Sequence, residues 1–258
     1  MHRLAAACLA ALTVSLSSAV APGVAGASDD PAFPTVGKVF SASAVMVGPN
    51  LVLTAKHVGA GNITLPGYGT FAPAGAPMLH PDADIMLFRI DNQGMALPWS
   101  KILADPMPNG AAITMVGYGI SGFLNAAGTG YDMSLPRGTR RSAPALVSRT
   151  EYQQYGSFVP GMSLISILRQ NGQGVVANGD SGGGWFHNVG GSAYLVGTTS
   201  FHSVWGSWTG ANAYMFSSSE VDYYGGGAVS LWHYREWLLL HGAQFALARR
   251  IAPPPRVP

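Results

Sequence analysis

Cysteine and charged side chains are both scarce in this sequence. Cys8 is the only cysteine among 258 residues, so no internal disulfide is possible, and the body of the chain lacks a cysteine nucleophile or a thiolate metal site. Charged residues make up 10% and the formal net charge is +2, which gives no reason to expect nucleic acid or an acidic membrane as a partner. Beyond the N-terminus, no apolar run is long enough to span a membrane. Hydrophobic residues still make up 48%, enough to fill a folded core.

The N-terminus has the pattern of a secretory signal peptide. A short basic start precedes an apolar run over residues 4–16, and small residues follow up to Ala27. We expect residues 1–27 to be removed on export and residues 28–34 to form a lead or pro-segment. The mature protein would then be secreted or periplasmic. A buried N-terminal helix is the alternative interpretation.

The remaining chain is rich in glycine, with 34 residues, and its apolar runs are short and separated by turn residues. Such runs predict the strands of a sandwich or barrel. A helix is predicted only near the end, where Ser230 is a possible cap, apolar residues follow at helical spacing and Gly242 provides a stop. The predicted strands cover residues 39–47, 51–54, 85–90, 113–116, 164–168 and 194–198.

The predicted elements fit an all-β chain of two small antiparallel barrels, with a shared cleft as the natural place for a site. We assign this domain to residues 35–245, with a turn-rich linker near residues 117–141. Residues 246–258 are proline-rich and predict a flexible tail.

A serine among glycines gives the strongest local signal. Residues 178–184 read NGDSGGG, so the hydroxyl of Ser181 can be exposed on a tight turn. The N–H groups of Gly179 and Ser181 are then candidates for an oxyanion hole. Taken alone, the motif is equally compatible with an ordinary glycine-rich hairpin.

Two further residues have the chemistry that a nucleophilic serine needs. His57 follows directly after an apolar strand, where an imidazole can serve as a general base. Asp84 precedes another strongly apolar strand, and a carboxylate at such a boundary needs a partner such as an imidazole N–H.

The three segments resemble the signature blocks of the chymotrypsin/trypsin family of serine proteases, in the family's order of His, Asp and Ser. The blocks are residues 54–57 (TAKH), 84–87 (DIML) and 179–183 (GDSGG). The resemblance implies two packed six-stranded antiparallel β-barrels with a C-terminal helix, no metal and no cofactor. It also implies a serine endopeptidase acting on proteins or peptides, with Ser181 as nucleophile, His57 as base and Asp84 as the orienting carboxylate.

The chain departs from the family pattern at its N-terminus. Many members are activated by cleavage before an Ile-Val-Gly-Gly segment, whose new amine pairs with the aspartate before the serine. Here the corresponding residues 35–38 read TVGK without a preceding basic residue, which leaves Asp180 without an obvious ammonium partner. Because a buried unpaired carboxylate is costly, we expect either a processed N-terminus or a basic side chain to pair with it. The interval between His57 and Asp84 is also shorter than in better-known members of the family. Asp82 and Asp91 are therefore alternatives to Asp84 as the partner of His57.

The expected substrate pocket lacks an acidic residue. Val175 stands six residues before the serine, where trypsin-like members carry an aspartate, so cleavage after Arg or Lys is not expected. Ser200, Phe201 and His202 would form the pocket wall. His202 either narrows the pocket, favours an acidic side chain when charged, or faces solvent in a loop. An apolar or small residue is the expected preference.

Two other functions remain possible on the sequence alone. The GDSGG motif also fits the nucleophile turn of α/β-hydrolases, with Asp222 and His233 or His241 completing an esterase triad. A non-catalytic homologue of the proteases is the other alternative.

The basic cluster of Arg137, Arg140 and Arg141 predicts a solvated loop. The sequence does not define an oligomeric state.

Overall fold

The computed structural model describes residues 20–21, 30, 32–204, 213–219 and 223–247. Strands dominate the described chain, and one short helix lies near its C-terminal end. The first strands are β1 Val20–Ala21, β2 Val36–Val39, β3 Ala42–Gly48, β4 Leu51–Thr54, β5 Ile63–Leu65, β6 Gly69–Phe71, β7 Pro73–Leu79, β8 Met86–Ile90, β9 Ile102–Leu103 and β10 Ala112–Gly117. The later elements are β11 Ser121–Leu124, β12 Gly130–Leu135, β13 Arg141–Leu146, β14 Arg149–Tyr155, β15 Phe158–Ile167, β16 Gly184–Val189, β17 Ser192–Val204, β18 Ala213–Met215, β19 Tyr224–Ser230, α1 Arg235–Leu240 and β20 Phe245–Ala246.

The first half of the chain forms a seven-stranded sheet in the order β6-β5-β2-β3-β4-β8-β7. All of its pairings are antiparallel, and short turns join the paired strands β2 and β3, β3 and β4, and β5 and β6. The predicted strand over residues 39–47 is in fact two strands, because the chain turns at Phe40 and Ser41 and Phe40 has a positive φ of 51°. That turn lets β2 and β3 pair with each other.

The second half forms a larger sheet in the order β13-β10-β16-β17-β19-β15-β14, with β9 and β20 attached through parallel pairs. A separate four-stranded sheet has the order β1-β11-β12-β18. Strands β11 and β12 come from the stretch near residues 117–141 that was predicted to be a turn-rich linker.

The C-terminal helix is shorter than predicted. It covers Arg235–Leu240, whereas Ser230 is the last residue of β19 and pairs with Gly197 instead of capping the helix. Strand pairing therefore overrides the helical spacing of the first residues. Gly242, with a φ of 94°, follows the helix as expected of a stop residue.

The two large sheets pack against each other through one shared core. Val45, Leu53 and Leu87 of the first sheet lie in the same cluster of buried side chains as Phe186 and Leu195 of the second. The prediction of an all-β fold with two packed β-units and a C-terminal helix is confirmed, although the sheets contain seven and nine strands instead of six each.

Some expectations concern residues that the structure does not describe. The predicted signal peptide lies outside the described residues except for Val20 and Ala21, and so does the predicted tail from residue 248 onward. No helix within the described ranges is long and apolar enough to cross a membrane.

Candidate active site

Strand pairing brings His57 and Asp84 together. Strands β4 and β8 pair so that Thr54, at the end of β4, lies opposite Met86, at the start of β8. His57 follows three residues after Thr54 and Asp84 precedes Met86 by two, so both residues lie at the same edge of the first sheet. Asp84 Oδ2 is 2.7 Å from His57 Nδ1, and Asp84 Oδ1 accepts a 2.9 Å hydrogen bond from the His57 backbone N–H.

The second sheet contributes a third donor to this carboxylate. Ser200, in β17, donates its hydroxyl to Asp84 Oδ2 at 2.6 Å. Asp84 is only 1% exposed, and three hydrogen bonds satisfy its charge in this buried position. Asp82 and Asp91, the alternatives considered above, have other neighbours: the Asp82 N–H donates to His80 Nδ1, and Asp91 accepts from the Gln93 N–H.

The turn that carries Ser181 is held by backbone hydrogen bonds. Asp180 N–H donates to the Ala177 carbonyl at 3.0 Å, and Gly182 N–H donates to the Thr199 carbonyl at 2.7 Å. The N–H groups of Gly179 and Ser181, in contrast, donate to no group in the described part of the chain. They are therefore available to a ligand.

Gly182 has to be a glycine for this turn to reach the first sheet. Its φ is 80°, and a Cβ there would collide with the carbonyl oxygen of Ser43 and with Thr54 Oγ1. The absence of a side chain at Gly182 thus allows the turn that carries Ser181 (the serine turn, residues 178–183) to pack directly on β3 and β4.

His57 and Ser181 line one open cavity of about 400 Å³. No hydrogen bond joins the Ser181 hydroxyl to the His57 ring in the described structure, and such bonds are often long in unliganded enzymes and tighten when substrate binds. The other lining residues are Phe158, Val176, Ala177, Asn178, Thr199, Ser200, Phe201 and His202.

Most of the predicted pocket residues lie at this cavity. Ser200, Phe201 and His202 line it, whereas Val175 does not. Val175 is buried in a separate cluster with Tyr131, and its neighbour Val176 faces the cavity instead. Partial desolvation lowers the pKa of the His202 imidazole, which favours its neutral form.

Phe158 is a cavity residue that the sequence analysis missed. Its ring meets the His57 ring edge-on with 5.7 Å between centroids, and Tyr155 stacks beside it at 6.4 Å. Both aromatic residues lie at the tip of the hairpin formed by β14 and β15. A lone phenylalanine after a turn has no distinguishing pattern, so the sequence carried no signal for it.

A comparison with protein families gives one match. The family model described as Trypsin matches residues 27–218, about three quarters of the chain, including His57, Asp84 and Ser181. The chain belongs to the trypsin family. None of the curated protein sequences matches this trypsin-family chain.

Solved structures show the same fold. A crystal structure of the inactive form of Rv3671c from M. tuberculosis H37Rv, a serine-to-alanine mutant, is 19% identical with a TM-score of 0.52, and the alignment covers 85% of this chain and 97% of that one. A second structure, of the inactive form of the Rv3671c protease, is also 19% identical, with a TM-score of 0.51 and coverage of 84% and 98%. At this identity the similarity concerns the fold alone.

The carboxylate that precedes the serine is fully buried in this trypsin-family chain. Asp180 Oδ1 accepts from Gly119 N–H at 2.7 Å, and Asp180 Oδ2 accepts from Ala177 N–H at 2.9 Å. Burial raises the pKa of Asp180 to about 7, although both N–H bonds and the charge of Arg141 act to lower it. The charge of Arg141 thus lowers the pKa of this carboxylate but does not offset the effect of its burial.

The prediction of a solvated loop is wrong for Arg140 and Arg141, which are buried with only 3% and 4% of their surface exposed. Arg141 donates to the carbonyls of Gly119 and Pro136, whereas Arg140 donates to those of Asp30 and Val36. The cluster looked solvent-exposed because it lies in a turn-rich stretch. In the fold, the guanidinium groups donate to backbone carbonyls of other segments, and these bonds satisfy their own buried N–H groups.

The α/β-hydrolase alternative is wrong. That fold places its nucleophile between a strand and a helix, but here Ser181 is followed by strand β16. His233 contacts the Ser230 hydroxyl and His241 the Trp237 carbonyl, and Asp222 lies outside the described residues. Among the residues described, no group of three or more His, Cys, Asp or Glu side chains is arranged to hold a metal ion.

Proposed function

We propose that this chain is a serine endopeptidase that cleaves peptide bonds through Ser181, His57 and Asp84. The observation that carries the proposal is the 2.7 Å hydrogen bond between Asp84 Oδ2 and His57 Nδ1, at the edge of the cavity that Ser181 also lines. A buried carboxylate on Nδ1 fixes the imidazole so that its other nitrogen faces the cavity and serves as the base.

The chemistry would follow the general scheme for such triads. Ser181 Oγ attacks the scissile carbonyl carbon while His57 takes the hydroxyl proton. The carbonyl oxygen becomes an oxyanion, and the N–H groups of Gly179 and Ser181 are the donors available to stabilise it. His57 then gives the proton to the leaving amine as the C–N bond breaks. Water, deprotonated by His57, finally hydrolyses the acyl-enzyme and regenerates the Ser181 hydroxyl.

The cavity supports specificity for a neutral side chain before the scissile bond. Val176, Ala177 and Phe201 provide apolar surface, and none of the lining residues is an acid that would pair with a lysine or arginine. Desolvation lowers the pKa of His202, which favours its neutral form and so disfavours an acidic side chain beside it. We therefore propose cleavage after apolar or small residues.

Export is part of the same proposal. The N-terminal pattern of a short basic start, an apolar run and small residues supports removal of residues 1–27 by a signal peptidase. A secreted or periplasmic enzyme would meet protein and peptide substrates there.

The test is digestion of a denatured protein mixture by the purified mature chain, with the cut sites mapped by mass spectrometry. Ser181→Ala, prepared in the same way, serves as the control. New cuts after apolar or small residues that are absent with Ser181→Ala are expected. If the folded wild-type protein makes no more cuts than Ser181→Ala, the proposed function is wrong.

A further inference from the structure

Ser43, in strand β3, uses all of its polar groups at the junction of the two large sheets. The residue has no exposed surface. Its N–H donates to the Ser181 carbonyl at 2.9 Å, and its own carbonyl accepts from the Thr54 hydroxyl at 2.8 Å. Its hydroxyl donates to the Gly179 carbonyl at 3.0 Å and accepts from the Tyr118 N–H at 3.0 Å.

Two of these bonds fix peptide groups next to the available N–H donors. The Gly179–Asp180 peptide is held at its carbonyl by the Ser43 hydroxyl and at its N–H by Ala177. The Ser181–Gly182 peptide is held at its carbonyl by the Ser43 N–H and at its N–H by Thr199. Ser43 therefore holds the carbonyl groups of both residues whose N–H groups are the candidate oxyanion donors.

Gly179 needs such an external constraint. It has a φ of 98°, and a residue without a Cβ imposes little preference on its own backbone. The Tyr118 N–H occupies one lone pair of the Ser43 hydroxyl, which directs the hydroxyl proton toward the Gly179 carbonyl. Ser43 thus holds the peptide that follows Gly179, while the peptide that carries the Gly179 N–H is held at its other end, where the Asn178 carbonyl accepts from the Ile120 N–H at 2.9 Å.

We propose that Ser43 is a positioning residue for the oxyanion hole: by holding the Gly179 carbonyl, it keeps the Gly179 N–H directed at the substrate carbonyl oxygen. The inference rests on the proposed function. Its physical basis is that oxyanion donors stabilise the transition state only when they are already oriented before the reaction.

The test compares Ser43→Ala with Ser100→Ala, using the peptide substrate that the wild type cleaves best. Ser100 is a matched control, because it is also a buried serine and its hydroxyl bonds to that of Thr35 at 2.8 Å. Deleting one oxyanion donor costs about 10²–10³-fold in kcat, so loosening one should cost on the order of 10-fold. We expect that loss in kcat for Ser43→Ala, with KM within about 2-fold, and no comparable loss for Ser100→Ala.

A transition-state analogue separates positioning from general damage to the fold. A peptide aldehyde of the same sequence forms a hemiacetal with Ser181 and places an oxyanion at the Gly179 N–H. Its inhibition constant should rise for Ser43→Ala by about the same factor as kcat falls. If Ser43→Ala does not fold, Ser43→Cys, which keeps the shape with a much weaker donor, carries the same comparison.

The outcomes distinguish the inference from the function on which it rests. An active wild type with unchanged kcat in a folded Ser43 variant would overturn the positioning role alone. An equal loss in Ser100→Ala, or a rise in KM without loss of aldehyde affinity, would also overturn it. Absence of any Ser181-dependent cleavage by the wild type would overturn the proposed function, and the positioning role with it.

Discussion

The carboxylate of Asp84 binds His57 at two points, the ring Nδ1 and the backbone N–H. One oxygen thus sets the orientation of the imidazole while the other holds the backbone from which the ring projects. The Ser200 hydroxyl shares the oxygen that binds the ring. All three groups point donors at the carboxylate, so the arrangement requires an acceptor at both oxygens.

Asp84→Asn should therefore be nearly inactive while remaining folded. An amide has only one acceptor oxygen, so its NH₂ group must face either the imidazole and Ser200 or the His57 backbone N–H. Either orientation disturbs the tautomer or the position of His57, and kcat should fall on the order of 10⁴-fold. Steady-state kinetics with a peptide substrate measures this. Asp82→Asn, an exposed change two residues away, should keep normal kcat, and equal losses in both variants would contradict the role of Asp84.

Val176 should control the size of the residue accepted before the scissile bond. Its side chain faces the cavity and occupies the space over Gly226, where a Cβ would collide with Val176 Cγ2. Val176→Ala should shift the ratio of kcat/KM for a large apolar residue over alanine by about 10-fold toward the large one. A matched set of peptides differing only at that residue gives the measurement.

Val175→Ala is the control for this change. The two valines are adjacent and equally buried at 3% exposure, but Val175 packs in the cluster with Tyr131 instead of the cavity. Val175→Ala should lower the stability of the fold without changing the preference for the residue before the scissile bond. The same shift in both variants would mean that the pocket is assigned to the wrong residue.

The residues of the proposed triad could be picked out from the sequence because each has a distinct local pattern. Apolar strands flank His57 and Asp84, and glycines surround Ser181. Ser43 had no such signal, since a single small polar residue between apolar ones is common in any strand and three of its four partners are far from it in sequence. The burial of Arg141 was missed for the same reason: a turn-rich stretch predicts exposure, whereas only the fold shows that Arg141 is buried and donates to the Gly119 carbonyl.

The helix illustrates a related limit of local patterns. Ser230 has the chemistry of a cap, and the residues after it have helical spacing. Pairing with Gly197 extends β19 through Ser230, and the chain needs a turn before Arg235 can begin the helix. Gly197 and Ser230 are 33 residues apart in sequence, and a local helical period carries no information about such a distant partner.

Gly182→Ala should be strongly destabilising. The positive φ alone costs an L-residue roughly 1–2 kcal/mol, and the added methyl would also collide with backbone and side-chain atoms of the first sheet. A loss of about 3 kcal/mol or more is expected, corresponding to a fall of about 6 to 12 °C in the unfolding midpoint. Thermal unfolding followed by circular dichroism, in the Ser181→Ala background to prevent self-digestion, provides the measurement.

Gly190→Ala separates backbone strain from the collision. Gly190 also has a positive φ, 60°, but a Cβ there has no atom within 4 Å. Only the strain remains, so the expected cost is about 1 kcal/mol. Similar losses for both variants would show that Gly182 is not a close contact between the serine turn and the first sheet.

Stability should fall as pH rises toward neutrality because of Asp180. The pKa of this carboxyl in the folded chain, about 7, lies above its ordinary value of 3.8, so the folded state holds the proton more tightly than the unfolded state. The stabilising contribution is fully present below about pH 4 and is lost as pH rises through about 7. Its size is on the order of 4 kcal/mol, since each pH unit of difference corresponds to about 1.4 kcal/mol. Unfolding midpoints measured from pH 4 to 9 in the Ser181→Ala background would reveal this slope.

Arg141→Met identifies the origin of that slope. Removing the guanidinium removes a charge that lowers the pKa of Asp180, so the pKa should rise further and the decline should continue above pH 7. Arg141→Met also loses bonds to two carbonyls, which lowers stability at every pH and leaves the pH dependence as the diagnostic quantity. Arg137→Met, an exposed change in the same cluster, should reproduce the wild-type profile. Parallel profiles for Arg141→Met and the wild type would mean that the charge of Arg141 does not act on Asp180.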